Sequence, residues 1–175
     1  MNQAHVLSQD SITLRPIELS DTDYIVKWRN SDFVKQRMIN KELSKEMHVN
    51  WFRTKVMTGD VVQFIIEFDN NPVGTVFLKD IDRNNQNAEF GIFIGEKTAT
   101  NKGIGAVAAK RIISLGFSEL KLHKIFLRVL ADNQAAIKCY EKAGFSYEGT
   151  AKEMVYLDGS YVDVVFMSII CGQSA

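Results

Sequence analysis

The middle of the chain alternates twice between the pattern of a strand and the pattern of a helix. The β-branched and aromatic run Ala88–Ile94 predicts a strand, and apolar residues at helical spacing from Ile104 to Leu115 predict a helix. A second strand is predicted at Ile125–Leu130, and a second helix from about Asn133 to Ala143, with Gly144 suited to end it. Strands before and after this unit then indicate a mixed sheet with helices packed against it.

The segments on either side supply the remaining strands and helices. Strand patterns occur at residues 11–16, 61–68, 73–78, 146–157 and 161–170, and helix patterns follow Ser20 and Ser44. Asp158-Gly159, between the last two strands, is typical of a tight hairpin. We therefore expect an α/β fold of the mixed α+β kind, with a mostly antiparallel sheet of six to seven strands flanked by about four helices.

Length and charge limit the number of domains and the classes of partner that the chain can have. The 175 residues suit one domain, so we expect a single domain over 1–175 with its core at about 11–170. Lys plus Arg and Asp plus Glu are both 21, and this neutral charge predicts neither nucleic acid nor a membrane as a partner. No apolar run approaches a membrane span and the first residues lack a signal-peptide pattern, so we expect a cytoplasmic protein. Cys139 and Cys171 are expected to be reduced thiols without a metal.

A glycine-rich, basic segment joins the first strand of the middle unit to its helix. It runs from Gly95 to Ala106 and, with Lys110 and Arg111 just beyond, is the most basic stretch of the chain. Glycines let a backbone approach a ligand closely, and free amides at a helix start attract phosphate. The Walker pattern is missing and the dinucleotide-binding fingerprint lacks its acidic residue. Taken by itself, the segment leaves open a plain helix start with solvated lysines.

Two motifs together resemble those of the GNAT superfamily of acetyl-CoA-dependent N-acetyltransferases. The family has Gln/Arg-x-x-Gly-x-Gly/Ala between a strand and a helix; here Gly103 and Gly105 match, and Thr100 replaces the opening residue. Further along, the family has Asn-x-x-Ala-x-x-x-Tyr-x-x-x-Gly-Phe, which residues 133–145 match completely. The likeness covers about residues 11–170 and is strongest to the branch of ribosomal-protein, spermidine and nucleotide-sugar acetyltransferases, through Arg15-Pro16, Trp28-Arg29-Asn30, Ala88-Glu89-Phe90-Gly91 and Tyr156-x-x-Gly159-x-Tyr161-x-Asp163-x-x-x-Met167.

The resemblance implies the GNAT fold, acetyl-CoA as cosubstrate and no metal. The amides that follow Lys102 would hold the pyrophosphate, and a bulge near Gly91–Phe93 would free backbone groups for the thioester and pantetheine. A bulge without a ligand, or a close approach of the backbone, is the alternative at Gly91. The residues expected to bind the coenzyme are Ile92, Phe93, Ile94, Asn101, Lys102, Gly103, Ile104, Gly105, Ala106 and Asn133.

Two residues are candidates for the chemistry of acetyl transfer, which needs a base for the amine and an acid for the leaving thiolate. The resemblance assigns the acid to Tyr140, for which a half-buried packing role is the alternative. Glu89 is the candidate base, acting directly or through a water, although most strand glutamates merely face solvent. Cys139 is not expected to be a nucleophile, because neighbours in a helix point about 100 degrees apart and both cannot face one sulfur.

Acceptor specificity is expected to come from the first two helices. Trp28, Arg29, Arg37, His48 and Trp51 look similar to sites that acetylate nucleotide-linked amino sugars, with arginine for phosphate and an aromatic ring for a base. A packed aromatic helix pair with solvated arginines is the alternative for each residue. A polyamine or a peptide N-terminus is the alternative acceptor. A catalytically silent acetyl-CoA sensor and an interaction module without coenzyme are the alternatives of other classes, and a homodimer is left open as the assembly.

Overall fold

The computed structural model describes residues 11–38 and 42–172. Its strands are β1 (Ile12–Pro16), β2 (Val62–Phe68), β3 (Asn71–Asp82), β4 (Asn87–Ile94), β5 (Lys124–Leu130), β6 (Ser146–Leu157) and β7 (Ser160–Ile170). Its α-helices are α1 (Thr22–Asn30), α2 (Asp32–Lys35), α3 (Lys45–Trp51), α4 (Ile104–Ser118) and α5 (Gln134–Ala143). Short 3₁₀ turns occupy Leu19–Asp21 and Lys97–Ala99, and a π turn at Phe52–Val56 follows α3.

The seven strands form one sheet in the order β1-β2-β3-β4-β5-β7-β6. Neighbouring strands are antiparallel except β4 and β5, which run parallel because α4 carries the chain back between them. The predicted mixed, mostly antiparallel sheet is confirmed. The described residues contain five helices rather than about four, because Ser31 is extended between α1 and α2 and caps α2 by accepting a hydrogen bond from the Val34 amide.

Local sequence explains where α4 and α5 begin and end. Gly103 precedes α4 with a φ of 76°, a left-handed conformation that glycine adopts without strain. α5 begins where the Asn133 side chain accepts a hydrogen bond from the Ala136 amide. It ends at Gly144, whose φ of 104° confirms the predicted glycine cap.

Each face of the sheet carries its own apolar cluster. α4 and α5 cover the larger cluster, which includes Phe90 and Leu127. α1 and the π turn after α3 cover a smaller cluster around Trp28 and Ile65 on the other face. Because neighbouring residues of a strand point to opposite faces, Glu89 lies on the face opposite Phe90.

Gly91 marks a close approach and not a bulge. Pairing of β3 with β4 stays in register across Gly91, so the predicted bulge at Gly91–Phe93 is wrong. The irregularity of this strand pair lies instead between Lys79 and Asp82. A Cβ atom on Gly91 would lie 2.3 Å from the Phe77 ring, so the absent side chain leaves room for that ring.

Three further features of the described part of the chain concern the environment and chemistry of the protein. None of the helices in residues 11–38 and 42–172 is both long and apolar enough to cross a membrane. In the same residues, no group of three or more His, Cys, Asp or Glu side chains is placed to hold a metal ion. Cys139, which is half-buried, and Cys171, which is exposed, are both free thiols.

Candidate active site

β4 and β5 part from each other partway along the sheet. Within the described residues their parallel pairing covers three residue pairs and ends where Glu89 lies opposite Phe126. β4 then continues to Ile94 paired with β3, and β5 continues paired with β7. The backbone groups of β4 that point towards β5 line an opening, and such groups require a ligand or water as partner. The predicted coenzyme residues Ile92, Phe93 and Ile94 lie along this opening, which arises from strand divergence and not from a bulge.

The loop between β4 and α4 provides a second set of free backbone groups. Asn101 and Gly103 have φ of 59° and 76°, and these left-handed residues turn the chain into α4. The first amides of this 15-residue helix, those of Ile104, Gly105 and Ala106, have no carbonyl of a preceding turn to bind. They carry the positive end of the helix dipole, which stabilises an anion such as pyrophosphate.

Basic side chains surround the first turns of α4. The Lys102 ammonium lies 5.1 Å from the centre of the Phe68 ring. A shallow pocket of about 160 Å³ is lined by Ala106, Val107, Lys110 and Arg111. Arg111 donates to the Ile12 carbonyl, so the amides of the helix start with Lys102 and Lys110 are the groups that fit the phosphates of acetyl-CoA.

Tyr140 of α5 packs over β4 on the same side of the sheet as α4. Its ring meets Phe90 at 5.8 Å and Phe145 at 6.0 Å between centroids, in both cases close to edge-on. Burial raises the pKa of the phenol above its ordinary value, and the neighbouring Cys139 thiol raises it further. The phenol is therefore protonated at neutral pH, which is the form in which a general acid begins the reaction.

Cys139 precedes Tyr140 in α5 and faces α4. Its sulfur would lie 3.6 Å from a Cβ atom on Gly105, so the thiol packs beside the first turn of α4. Burial raises the pKa of this thiol, which keeps it protonated and poorly nucleophilic. That Cys139 is not a nucleophile stays a prediction.

Glu89 forms an ion cluster rather than a free base. Arg128 donates to its two carboxylate oxygens at 3.1 and 3.0 Å, and the Lys79 ammonium lies 2.9 Å from one of them. The residue is only 8% exposed, so little water screens these charges. Both carboxylate oxygens of Glu89 therefore already face cations, and Lys79 also pairs with Asp80 at 3.3 Å. Lys79 and Arg128 were not among the site residues expected from the sequence.

Two of the predicted acceptor residues lie in the core. Trp28 and His48 are 1% and 2% exposed, so burial favours the packing alternative for both. His48 Nδ1 is hydrogen-bonded to Thr22 Oγ1 at 3.0 Å, and its ring lies 5.9 Å from the half-buried ring of Trp51. Desolvation lowers the pKa of His48, so its imidazole is neutral at pH 7.

The two predicted arginines are in different surroundings. Arg29 is half-buried, and desolvation lowers the pKa of its guanidinium. Arg37 is exposed, and its guanidinium carbon lies 5.2 Å from the centre of the Phe33 ring. Contact of Arg29, Arg37 and Trp51 with an acceptor stays a prediction, and the five residues do not share one surface.

Known proteins match nearly the whole chain. The family model "Acetyltransferase (GNAT) domain" matches residues 11–146. The chain is 30% identical over 163 residues to spermidine N(1)-acetyltransferase of Escherichia coli strain K12, which covers 93% of this chain and 87% of that protein. The crystal structure of spermidine N-acetyltransferase from Vibrio cholerae in complex with CoA and spermine has a TM-score of 0.85 and 28% identity, over 92% of this chain and 96% of that chain. A dodecameric structure of the Vibrio cholerae enzyme has a TM-score of 0.79 and 28% identity, over 92% of this chain and 94% of that chain.

The matched region contains the opening between β4 and β5, the glycine loop and Tyr140. The fold and the matches to known proteins confirm the resemblance to the GNAT superfamily that the two sequence motifs indicate. The chain belongs to the GNAT acetyltransferase family and is an acetyl-CoA-dependent N-acetyltransferase.

Proposed function

We propose that this enzyme acetylates a primary amine of a polyamine such as spermidine. The observation that carries the proposal is the similarity, over more than nine-tenths of the chain, to spermidine acetyltransferases, one of them in complex with CoA and spermine. These relatives favour the polyamine alternative over the nucleotide-linked amino sugar expected from the first two helices.

In the proposed arrangement, acetyl-CoA lies in the opening between β4 and β5. The amides of Ile104, Gly105 and Ala106 hold its pyrophosphate, and the free backbone groups of β4 near Ile92–Ile94 bind the pantetheine arm. Asn133 caps α5 with its side chain. Its backbone N–H donates to the Leu130 carbonyl and its own carbonyl accepts from the first turn of α5, so a contact of Asn133 with the coenzyme stays a prediction. When bound, acetyl-CoA supplies an activated acetyl carbonyl to the attacking amine.

The proposed proton transfers use groups on both faces of the sheet. The carbon–nitrogen bond forms as the carbon–sulfur bond breaks, and Tyr140 gives its phenolic proton to the leaving sulfur. The proton lost by the amine passes to water near Glu89, because both Glu89 oxygens are held by Arg128 and Lys79. Tyr140 then regains a proton from solvent, so the enzyme ends the cycle unchanged.

The charge of the acceptor-side helices favours a second candidate. Between Lys27 and Met57 the sequence has eight basic and three acidic residues. One of these acids, Glu42, already forms an ion pair with Lys35 at 3.5 Å. Three of the basic residues pair with acids outside this segment: Lys27 with Glu96, Lys45 with Asp23 and Lys55 with Asp60. The remaining excess of positive charge disfavours a polycation and favours an acceptor that carries phosphate, as a nucleotide-linked amino sugar does.

Acceptor competition distinguishes the two candidates. At fixed acetyl-CoA, we expect kcat/KM for spermidine to exceed that for a nucleotide-linked amino sugar or a peptide amino terminus by about tenfold, equivalent to about 1.4 kcal/mol. Release of free thiol measures all three acceptors in one assay, and reactions without acceptor give the background hydrolysis. A nucleotide-sugar value equal to or above the spermidine value would overturn the polyamine proposal and favour the second candidate. Binding of acetyl-CoA without thiol release from any acceptor would favour the silent sensor.

Assembly and location belong to the proposal as well. A dodecameric relative of similar fold supports a homo-oligomer, whereas a homodimer in particular stays a prediction. A cytoplasmic location likewise stays a prediction.

A further inference from the structure

The buried Trp28 ties helix α1 to the start of the coenzyme loop. Its indole N–H donates a hydrogen bond to Glu96 Oε1 at 2.7 Å. The indole also lies directly against Gly95, where a Cβ atom would be 2.1 Å from the ring. Trp28 therefore contacts both residues that follow β4: its ring packs against Gly95, and its N–H is hydrogen-bonded to Glu96.

The hydrogen bond is well placed to fix the conformation of the loop. The amides of Gly95 and Glu96 both donate to the Val73 carbonyl, at 2.8 and 3.1 Å, which anchors the loop to β3. Glu96 then precedes the 3₁₀ turn Lys97–Ala99, from which the chain runs to Gly103 and α4. A carboxylate acceptor makes the bond to Trp28 charge-assisted, and loss of the carboxylate would leave a buried N–H without a partner.

A second contact joins helix α2 to the same loop. The Lys97 ammonium lies 5.7 Å from the centre of the Phe33 ring in α2. Lys27 of α1 also approaches Glu96 Oε1, at 3.5 Å, but its side chain is 71% exposed and the pair is screened by water. The buried Trp28 bond is therefore the stronger of the two contacts to Glu96.

We propose that Trp28 is a positioning residue for acetyl-CoA, acting through Glu96 on the loop that leads to the first amides of α4. The inference rests on the proposed coenzyme role of that loop. It assigns Trp28 to the coenzyme side of the reaction and not to contact with the acceptor. It also means that α1, a helix expected on the acceptor side, contacts the loop proposed to bind the coenzyme.

The proposal predicts a selective effect on the coenzyme. Trp28→Phe keeps an aromatic ring but removes the N–H, and we expect KM and Kd for acetyl-CoA to rise about tenfold while kcat changes about twofold or less. Glu96→Ala should give the same increase. Glu96→Gln keeps an oxygen that accepts the hydrogen bond, so it should restore an affinity close to wild type. Lys27→Ala, which removes the exposed partner of the same carboxylate, is the matched control and should leave KM and Kd for acetyl-CoA unchanged.

The outcomes separate this inference from the proposed coenzyme site. If Trp28→Phe fails to fold, Glu96→Ala decides, because the Glu96 side chain is 35% exposed and its removal deletes no buried apolar group. Wild-type acetyl-CoA affinity in Glu96→Ala, or an equal loss in Glu96→Gln, would overturn the inference. If Gly103→Ala weakens coenzyme binding but Glu96→Ala does not, only the role of Trp28 fails. If neither does, the coenzyme loop itself is misassigned and the inference fails with it.

Discussion

Replacing Tyr140 by phenylalanine should lower kcat about 10²-fold to 10⁴-fold, the range expected when a general acid is lost. Acetyl-CoA affinity should change little, because the ring contacts with Phe90 and Phe145 at 5.8 and 6.0 Å do not involve the hydroxyl. The pKa of Tyr140 is raised by burial, so the wild-type phenol carries its proton at neutral pH. Steady-state turnover and calorimetric binding of acetyl-CoA, measured on the same preparation, test both statements.

A second tyrosine provides the control for this substitution. Tyr147 on β6 is 63% exposed, and its hydroxyl is hydrogen-bonded to Thr150 rather than placed near β4. Tyr147→Phe removes the same atom at the surface and should leave turnover unchanged. Parallel losses of affinity and turnover in Tyr140→Phe would indicate that the hydroxyl serves packing or binding instead of proton transfer.

Replacing Gly103 by alanine should weaken acetyl-CoA binding by about tenfold. The space around Gly103 is open, with no atom within 4 Å of the position that a Cβ would take, so the effect arises from the backbone and not from a clash. Its φ of 76° is unfavourable for alanine by about 1–2 kcal/mol. A loop that relaxes from this conformation no longer directs the first amides of α4 towards the pyrophosphate. Calorimetric titration with acetyl-CoA measures the change.

Gly159 allows the backbone effect to be separated from the binding effect. It has a φ of 86°, also with no atom within 4 Å of an added Cβ, but it lies in the turn between β6 and β7. Gly159→Ala should therefore lower the melting temperature to a similar extent and leave acetyl-CoA affinity unchanged. Equal affinities in the Gly103→Ala and wild-type enzymes, with both folded, would remove the loop from the coenzyme site.

Local patterns predicted most of the fold. The strands and helices of the middle unit follow from apolar periodicity, and Gly144 ends α5 because a left-handed residue is needed there. The break between α1 and α2 was missed because it depends on one capping hydroxyl, that of Ser31, inside an otherwise helical segment. The bulge predicted near Gly91 was wrong because a glycine in a strand serves a close approach as well as a bulge.

The site was less accessible to sequence analysis, because its contacts join distant segments. Residue pairs counted from the turn between β3 and β4 do not bring Lys79 opposite Glu89, because the pairing register shifts between Lys79 and Asp82. Arg128 reaches Glu89 from another strand, 39 residues away in the chain. The burial of Trp28 likewise depends on Gly95, which no local pattern connects to α1.

Amide hydrogen exchange with and without acetyl-CoA tests most directly whether the coenzyme enters the opening between β4 and β5. Unpaired amides of the β4 edge and the first amides of α4 exchange readily unless a ligand binds them. We expect acetyl-CoA to slow exchange in residues 91–95 and 101–106 and to leave the outer strand β6 unchanged. Slowed exchange confined to β6 and β7, with residues 91–106 unaffected, would contradict the account.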